Sequence, residues 1–404
     1  MRSSRSRLCS KATSARCDAD QSDAQARGYS CDVGHNAEVS SDVSADVPAD
    51  VPTGASSAVR KVLLGTVTFD LSKVSWRRSV IATLVTVVVL VICMSNGRPA
   101  HAVPLVLGAL FVPLAGSGEP RPRRIITQAW TLAWLMLGTL LGALVVDGRI
   151  VVVTIGILIT GLLAFAGGFA GAVGRNSRLS GMLLLVTFAI FMGSPDTPLL
   201  AVQTCALLGL GGLIALVIDN LLDLMTSRSH ESVWVLEPLS MRERLRSHPH
   251  SRDDYVRHGV RLAGAMMVGT ALSQALPWPH QYWIPMTVAW VSMPNSDGTV
   301  NRVAARVAGT FAGVALVEIV FTFVPVSHVM IAGLLGAGAL LVFAFITANY
   351  ASAVAGVTVL VMALFAAIGD PVTSTLPYRV IDTLIAAALV VAFAALWPSA
   401  KSQS

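Results

Sequence analysis

The chain has 404 residues, of which 54% are hydrophobic and only 13% charged, with a mean hydropathy of +0.68 and a formal net charge of +6. Its charged content is about half that of an ordinary soluble domain, which sets aside soluble enzymes and nucleic-acid binders and points to a membrane protein. The positive balance is carried by arginines in short stretches between apolar runs, where they orient a chain in a bilayer.

Residues 1–75 are rich in Ser, Ala, Asp, Arg and Val and close on the low-complexity run DVSADVPADVPTG. They are predicted to form a disordered cytoplasmic tail, having too little apolar surface to offset chain entropy. Cys9, Cys17 and Cys31 are irregularly spaced in this tail and read as incidental thiols. No apolar run precedes residue 79, so no cleaved signal peptide is expected; an upstream start misassigned before Met94 would also explain the tail.

Twelve apolar segments follow. The first half, 79–219, holds 79–96, 101–116, 125–146, 150–173, 180–193 and 198–219. A polar cytoplasmic linker, 220–256, separates it from the second half, 257–398, with segments 257–277, 281–294, 303–324, 327–347, 350–369 and 379–397, and residues 399–404 form a short cytoplasmic end. A bilayer core of about 30 Å takes roughly 20 apolar residues per helix, whereas barrel strands alternate over about ten, so the fold class is an all-α polytopic membrane protein of about twelve transmembrane helices. With both termini cytoplasmic, Arg77, Arg78, Arg121, Arg123, Arg124, Arg175, Arg178, Arg302, Arg306 and Lys401 all lie inside and only Arg98, Arg149 and Arg379 outside. The expected location is the plasma or inner membrane.

The third segment of each half carries a small-xxx-small pair, Gly138/Gly142 in GTLLGAL and Gly309/Gly313 in GTFAGVAL, each preceded by an inside arginine cluster and a short second segment. Two six-helix halves related by an internal repeat are therefore expected, although the spacing from second segment to glycine pair differs by about ten residues.

The residues Tyr282-Trp283-x-Pro285, the arginine followed by GTFAG, and the run Arg379-x-x-Asp382-Thr-Leu resemble the fusaric-acid-resistance-like (FUSC) family, which includes the aromatic acid exporters. The resemblance spans about Arg257 to Pro398 and extends more loosely to the first half. It implies a two-half membrane protein that exports hydrophobic organic acids, with distant likeness to plant malate channels, and in two-membrane envelopes an adaptor protein as partner. The linker is much shorter than the cytoplasmic domain of larger members, and the tail is extra, so partner and substrate are not carried over.

Short proline-bearing segments at matching places in two halves point to a transporter's binding site. Segments 101–116, with Pro104 and Pro113, and 281–294, with Pro285 and Pro294, fit that pattern, and the substrate path is assigned to Pro104, Tyr282, Trp283, Pro285, Asp297, Arg302 and Arg306. The polar stretch Asn295–Gly298 reads as a loop, and the two arginines either face a cytosolic anion or anchor to lipid phosphates. Glu318, inside an apolar run, is a candidate for proton coupling, with hydrogen bonding at the outer interface as the alternative. Arg379 and Asp382, three apart, are read as an outer gate or a structural ion pair.

No GxxxxGK[ST], HExxH, GxSxG or CxxC occurs, and His248 and His250 have no companion ligand, so no enzyme activity, cofactor or metal is expected. The leading function is export of amphipathic organic anions such as aromatic carboxylates, driven by the proton gradient or the membrane potential. An anion channel or uniporter of the same fold, or a non-transporting envelope scaffold, are the alternatives. The expected partners are a small organic anion and the lipid bilayer, not nucleic acid, with homo-oligomerisation open.

Overall fold

The computed structural model describes residues 68–116, 119–145, 150–194, 196–225, 254–280 and 282–397. Most of the predicted tail, linker residues 226–253 with His248 and His250, the tail cysteines and residues 399–404 lie outside the described residues. Among the described residues there is no strand, and twelve α-helices follow one another. The first half contains α1 (Trp76–Ser95), α2 (Ala102–Phe111), α3 (Arg121–Leu144), α4 (Ile150–Phe169), α5 (Arg175–Met192) and α6 (Pro198–Met225). The second contains α7 (Asp254–Ala275), α8 (Trp283–Val291), α9 (Ser296–Phe323), α10 (His328–Phe345), α11 (Tyr350–Ile368) and α12 (Val372–Leu396).

Eight of these helices, α1, α3, α4, α6 and α9 to α12, are long and apolar enough to cross a membrane, which makes the chain a multi-pass helical membrane protein. The expected count of twelve crossings is met by eight on length and hydropathy. Charged residues at the starts of α5 and α7 dilute their apolar runs, and α2 and α8 are short.

At 1.5 Å per residue, the nine residues of α8 reach only about 14 Å, half of the hydrocarbon core. All nine are buried, as are all residues of α2 except Val103. Enclosed by longer helices, their ends meet protein instead of hydrocarbon, and the short length is tolerated. Pro104 and Pro285 each occupy the third position of their helix, where no intrahelical acceptor awaits the missing N–H.

Helix pairing recurs six helices along the chain. In the first half α3 packs on α5 and α6, α2 on α1 and α6, and α4 on α5; in the second α9 packs on α11 and α12, α8 on α7 and α12, and α10 on α11. Between the halves α4 lies on α7, and α1 on α10. Gly138 and Gly142 bring α3 against the carbonyls of Leu184 and Phe188 on α5. Gly309 and Gly313 bring α9 against those of Ala351 and Ala355 on α11, so the absent side chains set both approaches.

Among the boundaries that differ from the sequence expectation, three bear on the site and the tail. The ninth helix starts at Ser296, not 303: Asn295 is its N-cap position and the supposed polar loop forms its first turn, a position that suits Asn, Ser and Asp. The Thr299 hydroxyl closes the tight α8–α9 turn by donating to the Asn295 carbonyl at 2.9 Å and accepting from the Met293 N–H at 3.2 Å. The last helix starts at Val372, not 379, which puts Arg379 seven residues inside it. Residues 68–75, assigned to the disordered tail, are ordered on the α10–α11 turn, where Asn349 Nδ2 donates to the Thr68 carbonyl at 3.0 Å and Phe69 meets Phe345 edge-on.

Candidate functional site

Four arginines are buried among the described residues, and their partners divide them into two kinds. Arg124 on α3 lies 3.4 Å from Asp219 and donates to Asn220 Oδ1 at 3.0 Å, while Gln128 bonds both Asp219 and Asn220. This network ties the start of α3 to the end of α6. Arg261 on α7 donates to the carbonyls of Pro294 at 2.6 Å and Trp397 at 3.2 Å, stapling three segments of the second half together. Both side chains are consumed by structure.

Arg306 and Arg379 are different. Arg306 stands ten residues into α9, about 15 Å from its start, and is 2% exposed, so it does not reach lipid phosphates. Its Nη2 makes a long contact, 3.4 Å to Thr287 Oγ1 on α8, its side chain also interacts with Tyr350, and its Nε has no hydrogen-bond partner. Arg379 is 0% exposed and none of its three nitrogens has a hydrogen-bond partner. Its guanidinium lies 4.7 Å over the Trp283 ring, a cation–π contact that only partly offsets the lost hydration. The two arginines are close enough to repel each other electrostatically. Asp382, one turn from Arg379 and fully buried, forms no ion pair with it: its Oδ1 accepts from Trp278 Nε1 at 3.2 Å and its Oδ2 has no partner.

The turn between α7 and α8 covers this pair. His280 stacks on Phe365 with centroids 4.3 Å apart and on Trp283 at 5.1 Å, with its Nε2 3.9 Å from Asp370. Burial lowers the His280 pKa from its usual value, with Asp370 opposing and Arg379 reinforcing, so the ring is neutral near pH 7. Tyr282 packs beside Trp283. At the other end of α8 a small open pocket lies between Phe111, Trp290, Arg306, Ile346 and Tyr350. There the ends of α2 and α8 meet, with the Phe111 and Trp290 rings 6.1 Å apart. Arg302, half-buried at the mouth, rests 4.4 Å over the Tyr350 ring and donates to Met293 Sδ at 3.3 Å.

Of the residues singled out in the sequence, Arg379 and Arg306 meet Trp283 and Thr287 on one face of α8, Tyr282 lies beside Trp283, Asp382 stands one turn from Arg379 and Arg302 lies over Tyr350, whereas Pro285 faces Gly269 of α7. Pro104 lies on α2, whose far end lines the same pocket. Asp297 falls in the first turn of α9, and its side chain lies outside what is described. Glu318 is exposed on the outer surface of the bundle, five residues before the end of α9, and lines neither pocket nor arginine pair. Replacing it by Gln is expected to shift stability by no more than about 0.5 kcal/mol, the usual reach of a surface substitution, and a larger loss in thermal unfolding in detergent would give it a structural role. Trp278, His280, Trp290 and Tyr350 were not singled out, and only their aromatic character in a chain poor in aromatics marked them.

Residues 266–393 match a family described as "Fusaric acid resistance protein-like". The chain is 36% identical over 156 residues to "Inner membrane protein YccS" of Escherichia coli (strain K12), covering 38% of this chain and 22% of that protein. It is 33% identical over 146 residues to "Uncharacterized protein ORF2" of Neisseria gonorrhoeae, covering 36% of this chain and 35% of that one. An uncharacterized Haemophilus influenzae protein is 30% identical over 146 residues, covering 36% and 20%. The chain thus spans only about a fifth to a third of the length of the curated relatives that it matches. No solved structure matches it.

Proposed function

We propose, from the premise that residues 266–393 are a fusaric acid resistance protein-like region, that the chain exports small amphipathic organic anions such as aromatic carboxylates. The observation that carries this reading is Arg379, fully buried with every guanidinium nitrogen unpartnered. A buried charge without a partner is too unfavourable to persist for packing alone, and a carboxylate is the group that would complete it. Arg302, Arg306 and Arg379 then mark the inner mouth, the middle and the outer end of one path beside α8. Trp283 and Tyr282 supply an apolar wall for the body of the ligand. Because Arg379 is fully enclosed, a carrier that alternates between open states fits better than a standing channel.

The remaining parts follow from the same reading. The recurring helix pairs fit two six-helix halves in parallel repeat, with α2 and α8 as the short central elements and all twelve helices embedded in the bilayer. Both termini and the linker face the cytosol, in keeping with the positive-inside rule. The halves are unequal: with the glycine pairs aligned, Arg302 and Arg306 correspond to Thr131 and Leu135, so the charged path belongs to the second half. Whether copies associate, or an adaptor joins them, is left to the assay of the purified protein.

In proteoliposomes, labelled 4-hydroxybenzoate should exchange faster than in protein-free vesicles and be accelerated by unlabelled anion on the far side. Arg306→Gln should lower that flux about 10- to 100-fold, the loss of one charged hydrogen bond to the ligand, while insertion is retained. Flux through the variant equal to wild type would return Arg306 to a structural role, and a current without trans-stimulation would favour the channel.

A further inference from the structure

The buried charges around the path can be counted. Arg306, Arg379 and Asp382 are the fully buried ionisable side chains beside α8 among the described residues, and whenever Asp382 is ionised it offsets one of the two guanidinium charges. His280 is kept neutral by burial, Asp370 sits 3.9 Å from it, and Arg302 is half-buried. Asp382 does not contribute as an ion-pair partner, because it contacts Trp278 and leaves Oδ2 free beside Arg379. Nor is it placed to bind a carboxylate, which it would repel.

We infer that Asp382 is a specificity-determining residue that cancels one of the two buried positive charges, so that the path accepts monocarboxylates and rejects dicarboxylates. The inference rests on the transport reading. With Asp382 ionised the enclosed charge is +1, and one monovalent anion completes it. A second carboxylate would enter a low-dielectric site with no cation left to meet it, and Asp382 Oδ2 would stand against it. The unpaired oxygen thereby acquires a role: buried one turn from Arg379 and without a hydrogen-bond partner, it acts as an electrostatic reject group.

The test compares benzoate with phthalate, which differ by one carboxylate on the same ring, as competitors of labelled 4-hydroxybenzoate exchange in proteoliposomes at pH 8. Wild type should prefer benzoate at least about tenfold, one unpaired charge in a partly screened site being worth a factor of that order or more. Asp382→Asn keeps the Oδ1 acceptor for Trp278 and nearly the same shape, and should narrow or invert the ratio about tenfold without abolishing exchange. An unchanged ratio in a variant that still exchanges overturns the assignment. Wild type that prefers phthalate overturns it without any variant, which keeps the test decisive if the variant does not fold. Wild-type vesicles that exchange no anion remove the transport reading and this inference with it.

Discussion

Arg379→Met should yield a protein that is more stable than wild type and nearly inert in transport. The guanidinium is wholly buried, lacks any hydrogen-bond partner and gains only a face-on contact with Trp283. Methionine fills similar space without a charge to desolvate, and replacing buried charge with apolar volume commonly stabilises by about 1–4 kcal/mol. If the same group supplies the donors for the transported anion, its loss should lower flux at least about 100-fold, equivalent to about 2.7 kcal/mol. Thermal unfolding in detergent and exchange in vesicles measure the two effects separately. Opposite signs cannot come from misfolding, whereas a less stable variant would mean that Arg379 serves the fold.

Gly309→Leu should act in the other direction, on assembly of the helices. A Cβ at 309 would run into the Ala351 carbonyl and lie 2.7 Å from Val354 Cβ, both on α11. Overpacking of that kind costs about 1–3 kcal/mol even where neighbours can shift, and here one neighbour is backbone that cannot. The displaced helix also begins with Tyr350, which carries Arg302, so flux should fall in whatever protein survives. Size-exclusion profiles and heat stability should show the loss. Gly333→Leu on α10 is the matched control, since nothing lies within 4 Å of a Cβ there, and it should behave as wild type. Equal behaviour of the two variants would mean that the α9–α11 approach is not fixed by its glycines.

The order and number of helices were legible because apolar runs and proline or polar stops are local signals. Pro104 and Pro285 marked the two short helices, whose enclosure then explained why they need not match the bilayer. The starts of α9 and α12 were misread for a single reason: Arg302, Arg306 and Arg379 were taken to lie at the membrane surface, where charge usually sits, and the helices were trimmed to suit. The site was legible in its residue types but not in its pairings. Nothing near Arg124 in the sequence shows that its partners stand on α6, 95 and 96 residues away, or that Arg379 has none. The adjacency of Arg379 and Asp382 suggested a bond that is absent, because Trp278, from another segment, holds the carboxylate instead.

His280 has one further consequence. It is the non-glycine residue with positive φ among the described residues, at +60°, a backbone state that disfavours an L-residue by about 1–2 kcal/mol. The turn holds that state while its ring stacks on Phe365 and Trp283, which also stack on each other. The stacking of the ring offsets that local cost, so the strained backbone and the aromatic contacts hold each other in place at this turn.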